Sequence, residues 1–220
     1  MVSSPENVEY VDFGFEGSET DYPLSRDEYR ASLIGAFQMA FNESPYGENF
    51  DFETMQSFLD ETEEKDYLGR IALVDNNVVG FAWGYRIESG MSSDFPDEIF
   101  SPETELSEGD SYYFEELGVL PDYRGQGIGK ELKRQELQGV KQREDISKGF
   151  MRTQYNGERL EGLELPDGYE TGENGNERKL GLDVDLGFEP VEVEGGPVIE
   201  EVNLEGTEGS DERIYMCREV

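Results

Sequence analysis

The sequence predicts a mixed α/β fold in a single domain of residues 1–220, with a mostly antiparallel central sheet of about seven strands flanked by about four helices. Two patterns predict it. In some segments apolar and polar residues alternate, which is the period of a half-buried strand. In others apolar residues recur every three or four positions, as in an amphipathic helix. Both kinds of segment follow one another along a chain long enough to bury a core of its own.

The N-terminal part is predicted to hold a strand at residues 7–15 and then two helices. Ser25 and Glu28 have the spacing of a capping box, which marks the start of a helix at about 26–42. The second helix is predicted at about 52–63. The apolar stripes of the two helices are formed by Tyr29, Leu33, Phe37 and Phe41 and by Phe52, Met55, Phe58 and Leu59.

Two strands are predicted within residues 67–88, on either side of the turn at 75–77. In the second strand bulky residues alternate with small ones, so that one face carries bulk and the other permits close packing. The bulky residues are Val79, Phe81, Trp83, Tyr85 and Ile87, and the small ones are Gly80, Ala82 and Gly84. The polar stretch 89–110 is predicted to be an inserted loop or a hairpin extension.

The C-terminal part is predicted to complete the order strand, helix, helix, three strands, helix, strand, helix, two strands. A second polar, glycine-rich insertion is predicted at 156–175. The remaining strands are predicted at 111–119, 149–155, 188–194 and 212–220, and the remaining helices at 127–143 and 175–185.

The charge of the chain is strongly acidic, with 52 Asp and Glu against 18 Lys and Arg and a net charge of −34. Such a surface repels itself in dilute buffer, whereas molar salt shortens the Debye length to about 3 Å. We interpret the acidity as adaptation to a salt-rich cytoplasm of a halophilic organism; a surface shaped for one cationic partner is the alternative. Nucleic acid is not expected as a partner, because binding phosphates needs basic patches.

Two residue types limit the chemistry. The chain has no histidine and one cysteine, Cys217. These counts exclude an internal disulfide, a His-ligated or multi-thiolate metal and a nucleophile–histidine couple, so no metal is expected. The N-terminus lacks the pattern of a signal peptide, and no segment approaches the apolar length of a membrane span. The sequence therefore predicts a cytoplasmic protein without a membrane partner, either a monomer or a homodimer.

A glycine-rich turn at 124–130 joins the predicted strand 111–119 to the predicted helix 127–143. The first amides of a helix lack intrahelical partners, and glycines just before them let the backbone approach an anion. The window 119–143 carries a net charge of +3 in this acidic chain, which favours an anionic ligand. The spacing matches neither the dinucleotide-binding fingerprint nor the P-loop.

The motif is carried by Val119, Pro121, Arg124, Gly125, Gly127 and Gly129, which spell V-x-P-x-x-R-G-x-G-x-G. It resembles the acetyl-CoA-binding motif of the GNAT superfamily of N-acetyltransferases. The predicted order of elements is also similar to that of the superfamily, so the resemblance covers most of the chain. It implies a GNAT-like acyl-CoA N-acyltransferase fold, with acetyl-CoA as cosubstrate. The residues implied to bind acetyl-CoA are Leu117, Gly118, Val119, Arg124, Gly125, Gln126, Gly127, Ile128, Gly129, Lys130 and Asn176.

A second family pattern, N-x-x-A-x-x-L-Y-x-x-x-G-F, can be aligned from Asn176. Leu182, Gly187 and Phe188 keep its register. Asp183 stands where the family often has a tyrosine that protonates the leaving thiolate, so the sequence departs from the family pattern at this position. For the general acid the sequence leaves two candidates, Asp183 by position and Tyr155 by chemistry.

The resemblance implies that an amine attacks the thioester of acetyl-CoA directly. The backbone of Leu117 and Val119, on a strand splayed at Gly118, would bind the pantetheine arm. A lysine-like amine has a pKa of about 10.4 and needs a base. Strand alternation places Glu115 on the face of Leu117 and Val119, so Glu115 is the first candidate and Glu116 the second. The expected acceptor is a small-molecule or peptide amine. The alternatives are a transferase for a longer acyl-CoA and a non-catalytic acyl-CoA-binding module.

Overall fold

The computed structural model describes residues 7–13, 26–42, 48–154, 183, 186–194, 196–203 and 210–220. Its α-helices are α1 (Arg26–Phe41), α2 (Phe52–Glu63) and α3 (Ile128–Lys141). The longer strands are β1 (Glu9–Phe13), β2 (Tyr67–Val74), β3 (Asn77–Arg86), β4 (Ser111–Val119), β5 (Lys148–Gln154), β9 (Ile199–Asn203) and β10 (Ser210–Glu219). Three two-residue strands are β6 (Glu189–Pro190), β7 (Glu192–Val193) and β8 (Gly196–Pro197). The mixed, mostly antiparallel α/β fold is thereby confirmed.

The chain folds as two compact units. Among the described residues, the first unit holds β1, α1, α2, β2, β3, the part of β4 from Glu115 onwards and α3. The second unit holds residues 87–114, which include the start of β4, and then β5 to β10. That the whole chain forms a single acetyltransferase domain stays a prediction.

In the first unit the strand order is β1-β2-β3-β4. Val11 lies opposite Ile71, and Ile71 lies opposite Phe81, in antiparallel pairs. The register between β2 and β3 shifts at Ala72/Leu73, so that Val79 is an extra residue on β3. This bulge corrects the predicted alternation: Val79 packs in the cluster against α3 and not with the aromatic residues of β3.

The two faces of β3 pack against different helices. Phe81 and Trp83 stack on each other and on Phe37 of α1, with ring centroids 5.1 to 5.7 Å apart. On the opposite face a Cβ on Gly80 would lie 3.1 Å from Leu132 of α3, so the small residue permits close packing. The predicted division of β3 into a bulky and a small face is confirmed from Gly80 onwards.

In the second unit β4 pairs in parallel with β5, and β10 lies between β5 and β6 in antiparallel pairing. β9 also pairs with β10, and β7 pairs with β8. One continuous strand at 188–194 was expected, but Val191 separates β6 from β7, which have different partners. β8 and β9 were not anticipated.

The predicted insertion 89–110 forms two short 3-10 turns, at Met91–Asp94 and Asp97–Phe100, with Ile99 and Leu106 buried. The predicted insertion 156–175 and most of the predicted helix 175–185 lie outside the described residues.

Candidate active site

The glycine turn begins α3 as the sequence predicts. Gly125 and Gly127 have φ angles of 74° and 87°, in the left-handed region that favours glycine. Gly127 is the N-cap of α3, and no side chain caps it. The Glu131 N–H donates to the Gly127 carbonyl at 3.0 Å, which is where the hydrogen bonds within α3 start. The N–H groups before Glu131 belong to the first turn of the helix, whose N–H groups have no acceptor within a helix. A Cβ on Gly127 would meet no atom within 4 Å, so the backbone here is open to a ligand.

Arg124 stabilises the glycine turn through hydrogen bonds to two backbone carbonyls. Its Nε donates to the Val119 carbonyl at 2.9 Å, and its Nη2 donates to the Ala40 carbonyl of α1 at 2.8 Å. The Gln126 side chain donates to the Asp122 carbonyl at 3.0 Å. Arg124 thus links the glycine turn to the end of β4 and to the end of α1. Its guanidinium group binds backbone carbonyls in these contacts.

Most of the positive charge in the window 119–143 has a partner within the fold. Besides Arg124, Lys133 pairs with Glu136 in a fully buried contact at 3.4 Å. Arg134 binds both carboxylate oxygens of Glu131, at 2.5 and 2.8 Å, which lowers the pKa of Glu131. Lys130 is exposed at the start of α3. Lys130 is also one of the residues that the resemblance implies to bind acetyl-CoA.

A second pair in this window also serves the fold. Arg143, just beyond α3, binds both carboxylate oxygens of Asp66, which precedes β2. Lys141 is exposed in the last turn of α3, where a cation is favourable to the helix dipole. The net charge of the window therefore overstates the charge available to a ligand.

The pairing of β4 with β5 stops partway along both strands. It runs from Ser111↔Lys148 to Phe114↔Met151, although β4 continues to Val119 and β5 to Gln154. The pairing therefore involves only the part of β4 that belongs to the second unit, and the splay expected at Gly118 stays a prediction. Gly118 has another role, since a Cβ there would lie 2.2 Å from the ring of Phe81.

The contacts of β4 correct the predicted face of Glu115. Leu117 and Val119 pack with the cluster against α3, as alternation predicts. Glu115, however, accepts a hydrogen bond at 3.1 Å from Nε1 of Trp83, a residue that stacks on α1. Glu115 and Gly118 thus contact the same face of β3, so strand alternation is broken between Glu115 and Leu117. Glu115 lies on the α1 face.

The side chain of Glu115 is 12% exposed and contacts both an aromatic donor and a cation. Besides the indole N–H of Trp83, the Nζ of Lys65 lies 3.8 Å from its Oε1. The same Nζ lies 3.8 Å above the centroid of the Tyr85 ring. The site therefore combines a fixed carboxylate, an aromatic face and an ammonium group.

The other predicted site residues are more scattered. Glu116 is half-buried on β4. Asp183 belongs to the second unit and is 3% exposed; its backbone carbonyl accepts from the Leu186 and Phe188 N–H groups. Asn176 and Tyr155 lie outside the described residues. Glu115 and the glycine turn thus both belong to the first unit, on β4 and just after it, and Asp183 is described only within the second unit.

Sequence reasoning missed Lys65, Trp83 and Tyr85 as companions of Glu115. Two signals for these residues were present in the sequence. The alternation of β3 placed Trp83 and Tyr85 on one face, and Lys65, just before β2, is one of only six lysines in the chain. The set was missed because alternation breaks on β4, and no sequence pattern predicts that break.

Among the residues that the structure describes, no cluster of side chains suits a metal ion. No helix in the described ranges is long and apolar enough to cross a membrane.

The fold is shared with solved structures of acetyltransferases. An N-acetyltransferase from Staphylococcus aureus Mu50 superposes with a TM-score of 0.60 at 9% identity, covering 97% of this chain and 99% of that one. The ribosomal-protein-alanine N-acetyltransferase from Brucella melitensis gives 0.57 at 14% identity, covering 89% and 97%. The Salmonella typhimurium protein yncA, solved with its cofactor acetyl-CoA, gives 0.58 at 10%, covering 97% and 94%. At these identities the similarity establishes the fold alone.

The class defined by this fold is that of the GNAT-like acyltransferases. Residues 27–159, more than half of the chain, match the family model of the acetyltransferase (GNAT) family. The protein therefore belongs to the acetyltransferase (GNAT) family and is an acyltransferase. A comparison with curated proteins finds no significant match.

Proposed function

We propose that the protein is an N-acetyltransferase that transfers the acetyl group of acetyl-CoA to a primary amine by direct attack of the amine on the thioester. The observation that carries this proposal is the first unit's combination of an open glycine turn at the start of α3 with a carboxylate, Glu115, fixed on the strand that leads into that turn. The acceptor is a small-molecule or peptide amine.

The glycine turn has the properties of a pyrophosphate site. Gly125 and Gly127 turn the backbone in the left-handed region, the first-turn amides of α3 point out of the helix, and the helix dipole adds partial positive charge. Lys130 adds an exposed ammonium group at the same end of the helix. The residues present therefore fit the diphosphate of coenzyme A, with the amides of residues 125–130 as donors.

The end of β4 supplies the second part of the binding site. Because its pairing with β5 ends at Phe114, the strand from Glu115 to Val119 can offer main-chain groups to an extended ligand. The pantetheine arm would bind there, beside Leu117 and Val119. When bound, acetyl-CoA supplies the activated acetyl group; the chain supplies position and a proton acceptor. Asn176 stays a predicted ligand of the pantetheine.

Glu115 is the proposed general base. An alkylamine is protonated at neutral pH and must lose a proton before it can attack a thioester. The carboxylate is fixed by Trp83 and already faces an ammonium group, that of Lys65. Glu116, half-buried on the same strand, is the second candidate. The general acid is proposed among Asp183 and Tyr155.

We also propose that the protein works in a salt-rich cytoplasm, and the strongly acidic composition of the chain supports this part of the proposal.

Two rival functions keep the cofactor site: a transferase that uses a longer acyl-CoA, and a module that binds acyl-CoA without turnover. The mass of the product would identify the acyl group. Binding of acetyl-CoA without thiol release across a panel of amines would favour the binding module.

The test of the cofactor site compares two substitutions at Gly127. Gly127→Ala and Gly127→Asp both impose a side chain on a left-handed φ, but only Asp adds negative charge where the pyrophosphate is expected. We expect acetyl-CoA binding, measured by calorimetry in high salt, to weaken modestly in Gly127→Ala and to be abolished in Gly127→Asp. Normal binding by Gly127→Asp would remove the pyrophosphate assignment, and with it the transferase proposal.

A further inference from the structure

Lys65 occupies a fixed position between α2 and β2. Its backbone N–H donates to the Thr62 carbonyl at 3.1 Å, at the end of α2. The next residue, Asp66, is held by Arg143, and its carbonyl accepts from the Arg86 N–H at 2.9 Å. The chain on both sides of Lys65 is therefore anchored, and the side chain, 22% exposed, is directed to Glu115 by the local fold.

The surroundings of the Lys65 ammonium are those that recognise an alkylammonium ligand. A carboxylate oxygen of Glu115 lies 3.8 Å from Nζ, and the Tyr85 ring centroid lies 3.8 Å from the same atom. Aromatic faces attract ammonium groups, and an ionised carboxylate adds a counter-charge. Relative to the proposed base, Lys65 is placed where the amine of an acceptor has to be.

We propose that Lys65 is an acetyl acceptor within the chain, so that the protein acetylates itself at this residue. This inference rests on the proposed function, because it uses the same base and the same acetyl-CoA. Glu115 lies about 7 Å along β4 from Leu117, at roughly 3.3 Å per residue, which keeps Lys65 close to the strand that would bind the pantetheine.

The step is a simple transfer. The Lys65 ammonium gives one proton to the Glu115 carboxylate, and the neutral Nζ attacks the thioester carbonyl. The new N–C bond forms, the C–S bond breaks, the nitrogen loses its second proton, and the thiolate of coenzyme A takes up one proton. A cationic side chain becomes a neutral amide, which removes the charge that faces Glu115 and Tyr85.

The other described lysines have different settings. Lys133 is buried against Glu136, and Lys148 pairs with Glu105 and Glu219. Lys130 lies at the proposed pyrophosphate site, whereas Lys141 is exposed in the last turn of α3 and reports the background of uncatalysed acetylation. With only six lysines in the chain, the modified position can be assigned without ambiguity.

The experiment incubates the full-length protein with acetyl-CoA in high salt without an added amine and follows acetylation of each lysine by tandem mass spectrometry. We expect Lys65 to be acetylated roughly tenfold faster than Lys141 or more, with a first-order rate that does not depend on protein concentration. Removal of the general base in Glu115→Gln should slow the reaction at Lys65 by about 10²–10⁴-fold. Glu200→Gln, an acidic control in the second unit, should leave the rate unchanged.

Lys65→Arg keeps a cation at the site but cannot form the acetyl-lysine, so the fast modification should disappear while the protein stays folded. Lys141→Arg should leave the Lys65 rate unchanged. Equal rates at Lys65 and Lys141, or a Lys65 rate that rises with protein concentration, would overturn the inference. If added amines are acetylated while Lys65 stays unmodified, the inference fails and the proposed function stands. If acetyl-CoA does not bind at all, both fail.

Discussion

Each unit of the molecule contains a glutamate held between an aromatic donor and a cation. In the first unit Glu115 accepts from the Trp83 indole at 3.1 Å and lies 3.8 Å from Lys65. In the second, Glu200 accepts from the Tyr215 hydroxyl at 2.7 Å and lies 3.4 Å from Arg152. We call these the Glu115 set and the Glu200 set.

The two sets differ in exposure and in chemistry. The Glu115 side chain is 12% exposed and that of Glu200 is 34% exposed. The cation of the first set is a lysine, whose amine can become a nucleophile, whereas the guanidinium of Arg152 stays protonated. The first set also lies on the strand that leads into the glycine turn. Similar groups thus serve as a candidate reaction centre in one unit and as a structural contact in the other.

The largest expected effect comes from ionic strength, because it acts on both sets at once. At a net charge of −34, like charges closer together than the Debye length of about 10 Å still repel one another at 0.1 M salt, and 1 M salt shortens that length to about 3 Å. We expect cooperative loss of the circular dichroism signal on dilution into low salt. An unchanged spectrum there would contradict the halophilic interpretation.

The second effect separates the two sets. In Glu115→Gln the carboxamide keeps the shape of the side chain but cannot accept the amine proton, so kcat for acetyl transfer should fall about 10²–10⁴-fold. Glu200→Gln should leave kcat within about twofold, since no proton transfer is assigned to Glu200. The measurement is thiol release at saturating acetyl-CoA in high salt. Equal losses in the two variants would remove the distinction between the sets.

Much of this fold could be predicted because the relevant patterns are local. The stripe of α1, the alternation of β3 and the glycine spacing each lie within one segment, and α1, α2 and α3 begin and end within two residues of their predicted positions. α2 and β4 have the predicted bounds. The glycine turn was also predictable, because a left-handed φ at Gly125 and Gly127 is a requirement on single residues.

The site was only half predictable, because its other half depends on breaks in regular pairing. The bulge at Val79 and the break in alternation after Glu115 move side chains to the opposite face without changing composition or spacing. Lys65 comes from a turn whose direction depends on contacts distant in sequence, such as Asp66 with Arg143. The charge of the window 119–143 was visible, but its internal pairing was not.

The third effect concerns the aromatic donors. Trp83→Phe keeps the stacking on Phe37 but removes the N–H that fixes Glu115, and such a hydrogen bond is worth about 1.5 kcal/mol. We expect kcat to fall about tenfold with the KM for acetyl-CoA little changed. Tyr215→Phe, the matched variant of the Glu200 set, should reduce the free energy of unfolding by about 1.5 kcal/mol and leave kcat unchanged. A fall in kcat for Tyr215→Phe would contradict its structural role.

The smallest effect appears only at alkaline pH. Burial, and then the hydrogen bond to Glu200, raise the pKa of Tyr215 above its ordinary value of 10.0. The unfolded tyrosine therefore ionises while the folded one stays protonated, so the free energy of unfolding should be unaffected below about pH 10 and fall as pH rises above it. The slope from one proton is at most about 1.4 kcal/mol per pH unit.

Tyr215→Phe removes this titration, so the difference in unfolding free energy between the wild type and the variant should shrink above about pH 10. Chemical denaturation in high salt across this range measures it, and the subtraction cancels the contribution of the other tyrosines. Trp83→Phe has no titrating group at the equivalent position, so its difference from the wild type should stay constant with pH. A constant difference for Tyr215→Phe as well would show that the Tyr215 hydroxyl ionises as readily in the folded chain as in the unfolded one, and that the Glu200 set does not hold its proton.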